Sequence, residues 1–193
     1  MPTVILLVVV GVIVLWVISA YNRLITLKNR VANAWKQIDV QLKRRHDLIP
    51  NLVEAVKGAT QFERQTMEAV ISARTRAVAA TGVPATMKAE GELSQALGRL
   101  FAVMEAYPDL KATGNISQLQ EELASTENKI GFARQHYNDE ATLFNTAQAL
   151  FPTNLVAGLA KATPALLWEI EDEAERAVPR VDLSGGGAGG AGG

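Results

Sequence analysis

From Val4 to Ala20 the chain is apolar at every position except Gly11 and Ser19, and it carries no charge. Seventeen residues of helix span about 25 Å, close to a hydrocarbon core of roughly 30 Å once Thr3, Tyr21 and slight bilayer thinning are allowed for. Val4, Ile5, Val8, Val9, Val10, Val12, Ile13 and Val14 are β-branched and would suit a buried strand, but such strands rarely exceed about 8 residues. The pattern therefore predicts a membrane helix over residues 1–20. A cleaved signal peptide is the rival reading. It calls for a basic segment ahead of the apolar run, which Met1-Pro2-Thr3 lacks, and Ser19-Ala20 is a weak cleavage site. Behind the run come Arg23, Lys28, Arg30, Lys36, Lys43, Arg44 and Arg45 against one acid, Asp39. By the positive-inside rule this end stays in the cytoplasm and the N-terminus faces outward, with Trp16 and Tyr21 near the inner boundary.

Beyond Tyr21 the period changes to alternating steps of 3 and 4. Leu24, Leu27, Val31, Ala34, Ile38, Gln41, Arg45, Leu48, Leu52, Ala55, Ala59, Phe62, Thr66, Ala69 and Ala73 form one seam, and Trp35, Leu42, Ile49 and Val56 widen it. This predicts a long helix facing at least two neighbours, continuous with the span, kinked near 46–50 by Pro50 and ending near Thr81-Gly82-Val83-Pro84. Gln41 and Arg45 are polar members of the seam that fix register or lie at its edge. A second helix is expected from Thr86 to Tyr107, with Met87, Leu93, Ala96, Leu97, Leu100, Phe101 and Met104 inward. A third starts at an Asn115 cap with Gln118 as capping-box partner, or at Ser117. It carries Leu119, Leu123, Thr126, Ile130, Ala133, Tyr137, Phe144, Ala147 and Phe151 on one face and stops at Pro152. A short helix over 154–160 and a fourth from Pro164 to Val178 follow, the latter with Leu166, Leu167, Ile170, Ala174 and Ala177 inward and Glu169, Glu171, Asp172, Glu173 and Glu175 outward. Short connections make the neighbours antiparallel. The fold class is all-α: a transmembrane helix (1–20) continuing into an antiparallel bundle of three to four long helices (21–182), then a Gly-rich tail (183–193) from which no core can be built.

Composition adds exclusions. The 193 residues carry a net charge of -1, which gives no global electrostatic case for nucleic acid. The absence of cysteine removes disulfides and thiolate chemistry and fits a reducing compartment. His46 and Asp47 are the most tempting pair, but adjacent helical residues point about 100° apart. His136 with Glu127 or Glu140 is the other metal candidate. A di-metal bundle wants Glu-x-x-His elements, whereas Lys43 and Ala133 precede the two histidines by three residues. Glu121, Glu122, Glu127, Asn128, Tyr137, Asn138, Asp139 and Asn145 are a polar set on the third helix. Some of them are expected to meet Arg45, Arg64, Arg74 or Arg76 of the first, as register-setting contacts. No phosphate loop, nucleophile elbow or zinc-protease motif occurs. No catalytic, cofactor or metal residue is assigned, and no enzyme is expected.

Long ordered motifs add a resemblance. They include Tyr21-Asn22, Asn33-Ala34-Trp35, Gln37-Ile38-Asp39-Val40-Gln41-Leu42, His46-Asp47-Leu48-Ile49-Pro50-Asn51-Leu52-Val53-Glu54, Glu105-Ala106-Tyr107-Pro108-Asp109-Leu110, Thr126-Glu127-Asn128-Lys129-Ile130, Tyr137-Asn138 and Phe151-Pro152. Over about residues 20 to 160 the chain resembles the LemA family of bacterial membrane-anchored proteins. The resemblance implies one N-terminal span and a cytoplasmic helical bundle, and it supplies no catalytic residues. Leu143 departs from the tyrosine often found there, and Trp168 alone stands for an aromatic cluster expected after Ala160.

The function expected is a self-associating scaffold, single-pass in the bacterial inner membrane, that organises or shapes it. The basic collar would pair head-to-tail with the acidic fourth helix of another copy, and Arg23, Lys28 and Arg30 would lie near anionic headgroups. The alternative is a membrane-tethered adaptor that presents the bundle to a protein partner such as a stress protease or signalling protein.

Overall fold

The computed structural model describes residues 1–57, 64–107 and 114–168. They form α1 (Pro2–Lys57), α2 (Arg64–Ala79), α3 (Val83–Glu105), α4 (Gly114–Ala149) and the short α5 (Asn154–Ala157), with no strand among them. The all-α class, with a long apolar N-terminal helix leading into packed helices, is as the periodicity predicted.

α1 is one unbroken helix of 56 residues, about 84 Å long. Its apolar start is long enough to cross a bilayer, with a mean hydropathy of 3.0 over an 18-residue window of which only 6% is covered by protein. Beyond it, Leu24, Leu27, Ala34, Ile38, Leu42, Ile49, Leu52, Val53 and Val56 are buried in a stripe. α4 runs antiparallel along that stripe. Leu24 and Leu27 share a cluster with Phe144 and Ala147; Ala34, Ile38 and Leu42 meet Ile130, Ala133 and Tyr137; Leu52 and Val56 meet Ile116 and Leu123. α2 and α3 form a hairpin whose Met67, Val70, Leu93, Leu97, Leu100 and Met104 close the cluster over the far end of the pair.

The chain turns back where the long seam was expected to run on. The carbonyl of His46 accepts a hydrogen bond of 2.7 Å from Arg74 Nε, whereas one continuous helix would hold those residues about 42 Å apart. α2 thus lies back along α1; its buried Met67 and Val70 stand one position off the extrapolated Thr66 and Ala69, while Ala73 is buried as the seam predicted. The 3-and-4 spacing records an apolar face but not the direction of the chain. Gly58 lies outside the described residues.

Pro50 stays inside α1. Lacking an amide hydrogen, it cannot supply the bond that the His46 carbonyl would receive in a regular helix, and Arg74 supplies it from α2. The α2–α3 turn uses Gly82 at φ 80°, a conformation that disfavours a Cβ, as the residue before α3. Pro84 sits in the first turn, where the missing amide costs nothing, so α3 begins three residues before the expected Thr86. α4 begins at Gly114, which places Asn115 inside the helix and not at its cap; residue 113 lies outside the described residues.

The fourth helix expected from Pro164 is not present over 162–168, which is non-helical. Its expected acidic face, Glu169 to Glu175, and the Gly-rich tail lie outside the described residues. Two side chains of α4 account for the change. Asn145 donates to the Ala165 carbonyl at 2.8 Å and accepts from the Ala165 amide at 2.8 Å. Asn138 does the same with Trp168, at 2.9 and 2.7 Å. Each asparagine satisfies both backbone groups of its partner, as a neighbouring strand would, and a helix loses its advantage here. Leu166, expected inward, is exposed, and so is Phe151 at 78%.

The Arg74 contact is testable by a double-mutant cycle read by thermal unfolding of the full chain in mild detergent. Arg74→Met leaves a carbonyl orphaned and is expected to cost about 1–2 kcal/mol. In a Pro50→Ala background, where residue 50 regains its amide, the same change is expected to cost less than half as much. Equal costs in both backgrounds would show that Arg74 does not compensate for Pro50.

Candidate functional site

Where α1, α3 and α4 meet, the apolar stripes are interrupted at one level by charge. Glu90 is fully buried on α3, between Met87 and Leu93, at three-residue spacing on the packed face. Its Oε2 lies 3.3 Å from Arg45 Nη1, and its Oε1 lies 2.6 Å from His46 Nε2. Because the carboxylate only accepts, Nε2 carries the hydrogen. Arg45, 3% exposed, also donates to Ser94 Oγ at 2.8 Å and reaches Glu127 Oε2 of α4 at 3.2 Å. Both oxygens of Glu90 are engaged, so three helices are tied by one paired network. A carboxylate buried without these partners would carry a desolvation penalty of several kcal/mol.

A second group adjoins it. Arg134 Cζ sits 4.5 Å from the centroid of the Trp168 ring, while its Nε is buried without a hydrogen-bond partner. Burial lowers the Arg134 pKa; Glu127 opposes that, Arg45 adds to it, and Glu90 opposes it again. The ring's π face stands in for the missing acceptor. Trp35 packs on Tyr137 and Trp168 with centroids at 5.5 and 5.7 Å. Tyr137 donates its hydroxyl to the Leu166 carbonyl at 2.7 Å, and burial raises its pKa. Trp168, which alone stands for the aromatic cluster expected after Ala160, is an interior residue that pins the terminal segment.

The polar residues singled out from the sequence fall into two sets. Arg45, Glu127, Tyr137, Asn138 and Asn145 are brought into these contacts. Asp47, Glu121, Asn128, Asp139 and His136 are exposed. His46 does not share a ligand with Asp47; it turns inward to Glu90. Glu140 is partly buried, with one oxygen lacking a partner. Of the arginines expected to face α4, Arg45 does. Arg64 and Arg76 pair instead with Glu68 and Glu92, and Arg74 with the His46 carbonyl. No group of three or more His, Asp or Glu among the described residues is placed to hold a metal. Glu90 was missed, although a glutamate on an apolar stripe was a visible signal.

Two clefts open on the bundle surface, the first of them lined in part by Arg45 and Glu127 of the network. One, of about 530 Å³, opens between α3 and α4 over Leu97, Phe101 and Leu123, with Arg45 and Glu127 at its base and Glu105 at its rim. The other is a shallow groove of about 600 Å³ between α1 and α4, where Val40 and Phe132 are 63% and 71% exposed beside Lys36, Lys129 and His136.

A profile of the LemA family matches residues 34–183. The chain is 28% identical to Protein LemA of Metamycoplasma hominis, over 77% of its own length and 68% of that protein. It is 24% identical to magnetosome protein MamQ 2 of Paramagnetospirillum magneticum and 23% identical to magnetosome protein MamQ of Magnetospirillum gryphiswaldense, in each case over 71% of its length and 60% of theirs. It therefore spans less than two thirds of the magnetosome relatives.

Glu90→Leu strands Arg45 and His46 and is expected to destabilise by about 3–5 kcal/mol, lowering the melting temperature by on the order of 10 °C. Adding Arg45→Leu and His46→Leu is expected to restore most of that loss, since the pairing sets register more than it adds stability. A triple variant melting below the single one would contradict this. The raised pKa of Tyr137 gives a second test. The folded chain keeps the phenolic proton where the unfolded chain releases it, near pH 10. That contribution is full below pH 10 and is lost as pH rises through the folded value. The drop in melting temperature between pH 9 and 11 is therefore expected to be smaller in Tyr137→Phe than in the native chain.

Proposed function

This chain belongs to the LemA family, and on that footing we propose that it is a membrane-anchored scaffold whose bundles associate with one another and organise the bacterial inner membrane. The observation that carries the reading is the continuity of α1, one helix from the apolar run into the bundle. A bend or linker would let the bundle swing freely; an unbroken helix hands the orientation of the span to the bundle, as a scaffold requires. The exposed basic residues Arg23, Lys28 and Arg30 support a cytoplasmic bundle beside anionic headgroups. The relatives named as magnetosome proteins support a membrane setting.

The bundles associate through the groove holding Val40 and Phe132, which stand on the outer sides of α1 and α4. Two large apolar side chains bared beside each other on a polar surface favour a protein contact. A second reading, an adaptor for a protein partner, is favoured by the apolar cleft of Leu97, Phe101 and Leu123, whose size suits an inserted side chain.

Light scattering of the full-length chain behind a sizing column in mild detergent tests the scaffold. A discrete high-mass species is expected, and Val40→Glu with Phe132→Glu is expected to reduce it at least tenfold in population at equal concentration. A native chain that is monomeric or dimeric would overturn the scaffold and favour the adaptor.

A further inference from the structure

The carboxy-terminal turn of α4 and the segment after it bare Leu150, Phe151, Leu155 and Leu159, at 58%, 78%, 69% and 70% exposure. Among the described residues nothing covers them. Their position along α1 shows what does. α4 runs antiparallel to α1, and its Phe144 and Ala147 cluster with Leu24 and Leu27. α4 ends at Ala149, and the chain just past it comes near the level of Ala20, the last residue of the apolar run. The protein reaches that level: Ala20 is 8% exposed and Val17 is partly covered, in a stretch otherwise bare. Leu24 lies about 6 Å beyond Ala20 along the helix, within the thickness of a headgroup layer.

Charge points the same way. Between Glu140 and Glu169 the chain has no acidic residue and one basic residue, Lys161. The Lys161 carbonyl accepts from Lys28 Nζ at 3.2 Å, tying the end of the segment to the basic side of α1. α5 is wedged inward by Val156, 2% exposed, which turns Leu155 outward. Apolar side chains beside basic residues and without acids are the composition of a surface that lies in a membrane interface.

We propose that residues 150–159 are a second membrane contact, in which Leu150, Phe151, Leu155 and Leu159 enter the leaflet that α1 leaves at Ala20, beside anionic headgroups held by Arg23 and Lys28. The inference rests on α1 as the membrane anchor and not on self-association. The bundle is then held to the bilayer at two places, and its tilt is fixed as well as its attachment.

The absence of cysteine makes the test direct. Phe151→Cys, Leu155→Cys and Leu159→Cys are made singly in the full chain, spin-labelled, and reconstituted in vesicles of phosphatidylethanolamine and phosphatidylglycerol. Collision with oxygen, which concentrates in lipid, is compared with collision with a nickel chelate, which stays in water. Ile13→Cys in the span and Ala69→Cys on α2 serve as lipid and water references. The oxygen-to-nickel ratio at 151, 155 and 159 is expected to be several-fold above that at 69 and to approach that at 13. A ratio equal to that at 69 would overturn the contact while leaving the anchor intact. Labels shielded from both reagents would overturn it in favour of a second protein copy. An aqueous label at 13 would remove the anchor and this inference with it.

Discussion

Everything in the molecule hangs on the antiparallel seam between α1 and α4. It runs from Leu24 against Phe144 and Ala147 to Leu52 and Val56 against Ile116 and Leu123, close to 50 Å of helix. The α2–α3 hairpin covers the end away from the apolar run, and α5 with the terminal segment covers the near end. Neither cover has a core of its own: Met67 and Leu93 are buried on Ile49 and Leu52, and Trp168 on Ala34 and Ile38. A seam built from small and branched side chains at near-zero exposure is close-packed, and it fixes where both covers sit.

Apolar stripes of this length share a weakness, for one turn of slip along the seam exchanges similar side chains at modest cost. The Arg45–Glu127 pair marks one register of α1 on α4, and Glu90 fixes α3 against α1. Its two oxygens are matched to Arg45 and His46 of consecutive positions on α1, and Arg45 extends to Glu127 on α4. A slip of α3 by one turn against α1 would leave a fully buried carboxylate unpaired, and a slip of α4 would part Glu127 from Arg45. The network thus discriminates among registers more strongly than it stabilises the correct one, and its side chains are used up in doing so. Arg74 works on the same principle at the backbone, occupying a carbonyl that only a proline four residues on could leave open.

The long elements were legible because their periods are strong. The α1 stripe, the α4 face from Leu123 to Ala147 and the inward leucines of α3 follow directly from apolar spacing. What escaped is information that spacing does not carry. The reversal before α2 keeps nearly the same phase, so the seam looked continuous. Glu90 interrupts the apolar face of α3 as Arg45 interrupts that of α1, but spacing within each helix does not show that the two meet. Residues 164–168 looked helical because Leu166 and Leu167 follow a proline, and the competing partners, Asn138 and Asn145, are thirty and twenty residues away in sequence. Long-range side-chain bonds to backbone leave no local trace.

Val17, Ala20, Leu24 and Leu27 continue a single stripe across the end of the apolar run, and coverage begins at its first two members. The packed face of α1 is therefore already defined inside the segment suited to lipid. A span that met its bundle only beyond the membrane could rotate about its own axis without disturbing it. Here rotation of α1 would carry Ala20 and Leu24 away from the segment packed on Phe144 and Ala147, so lipid-facing and protein-facing sides of the span are fixed by the bundle. The same packing sets where α4 ends, at Ala149, and so brings Phe151, just past that end, near the level of Ala20. The position of Phe151 along α1 thus follows from the seam's register, and a change that shifted the seam by one turn would move that side chain about 5 Å along the α1 axis.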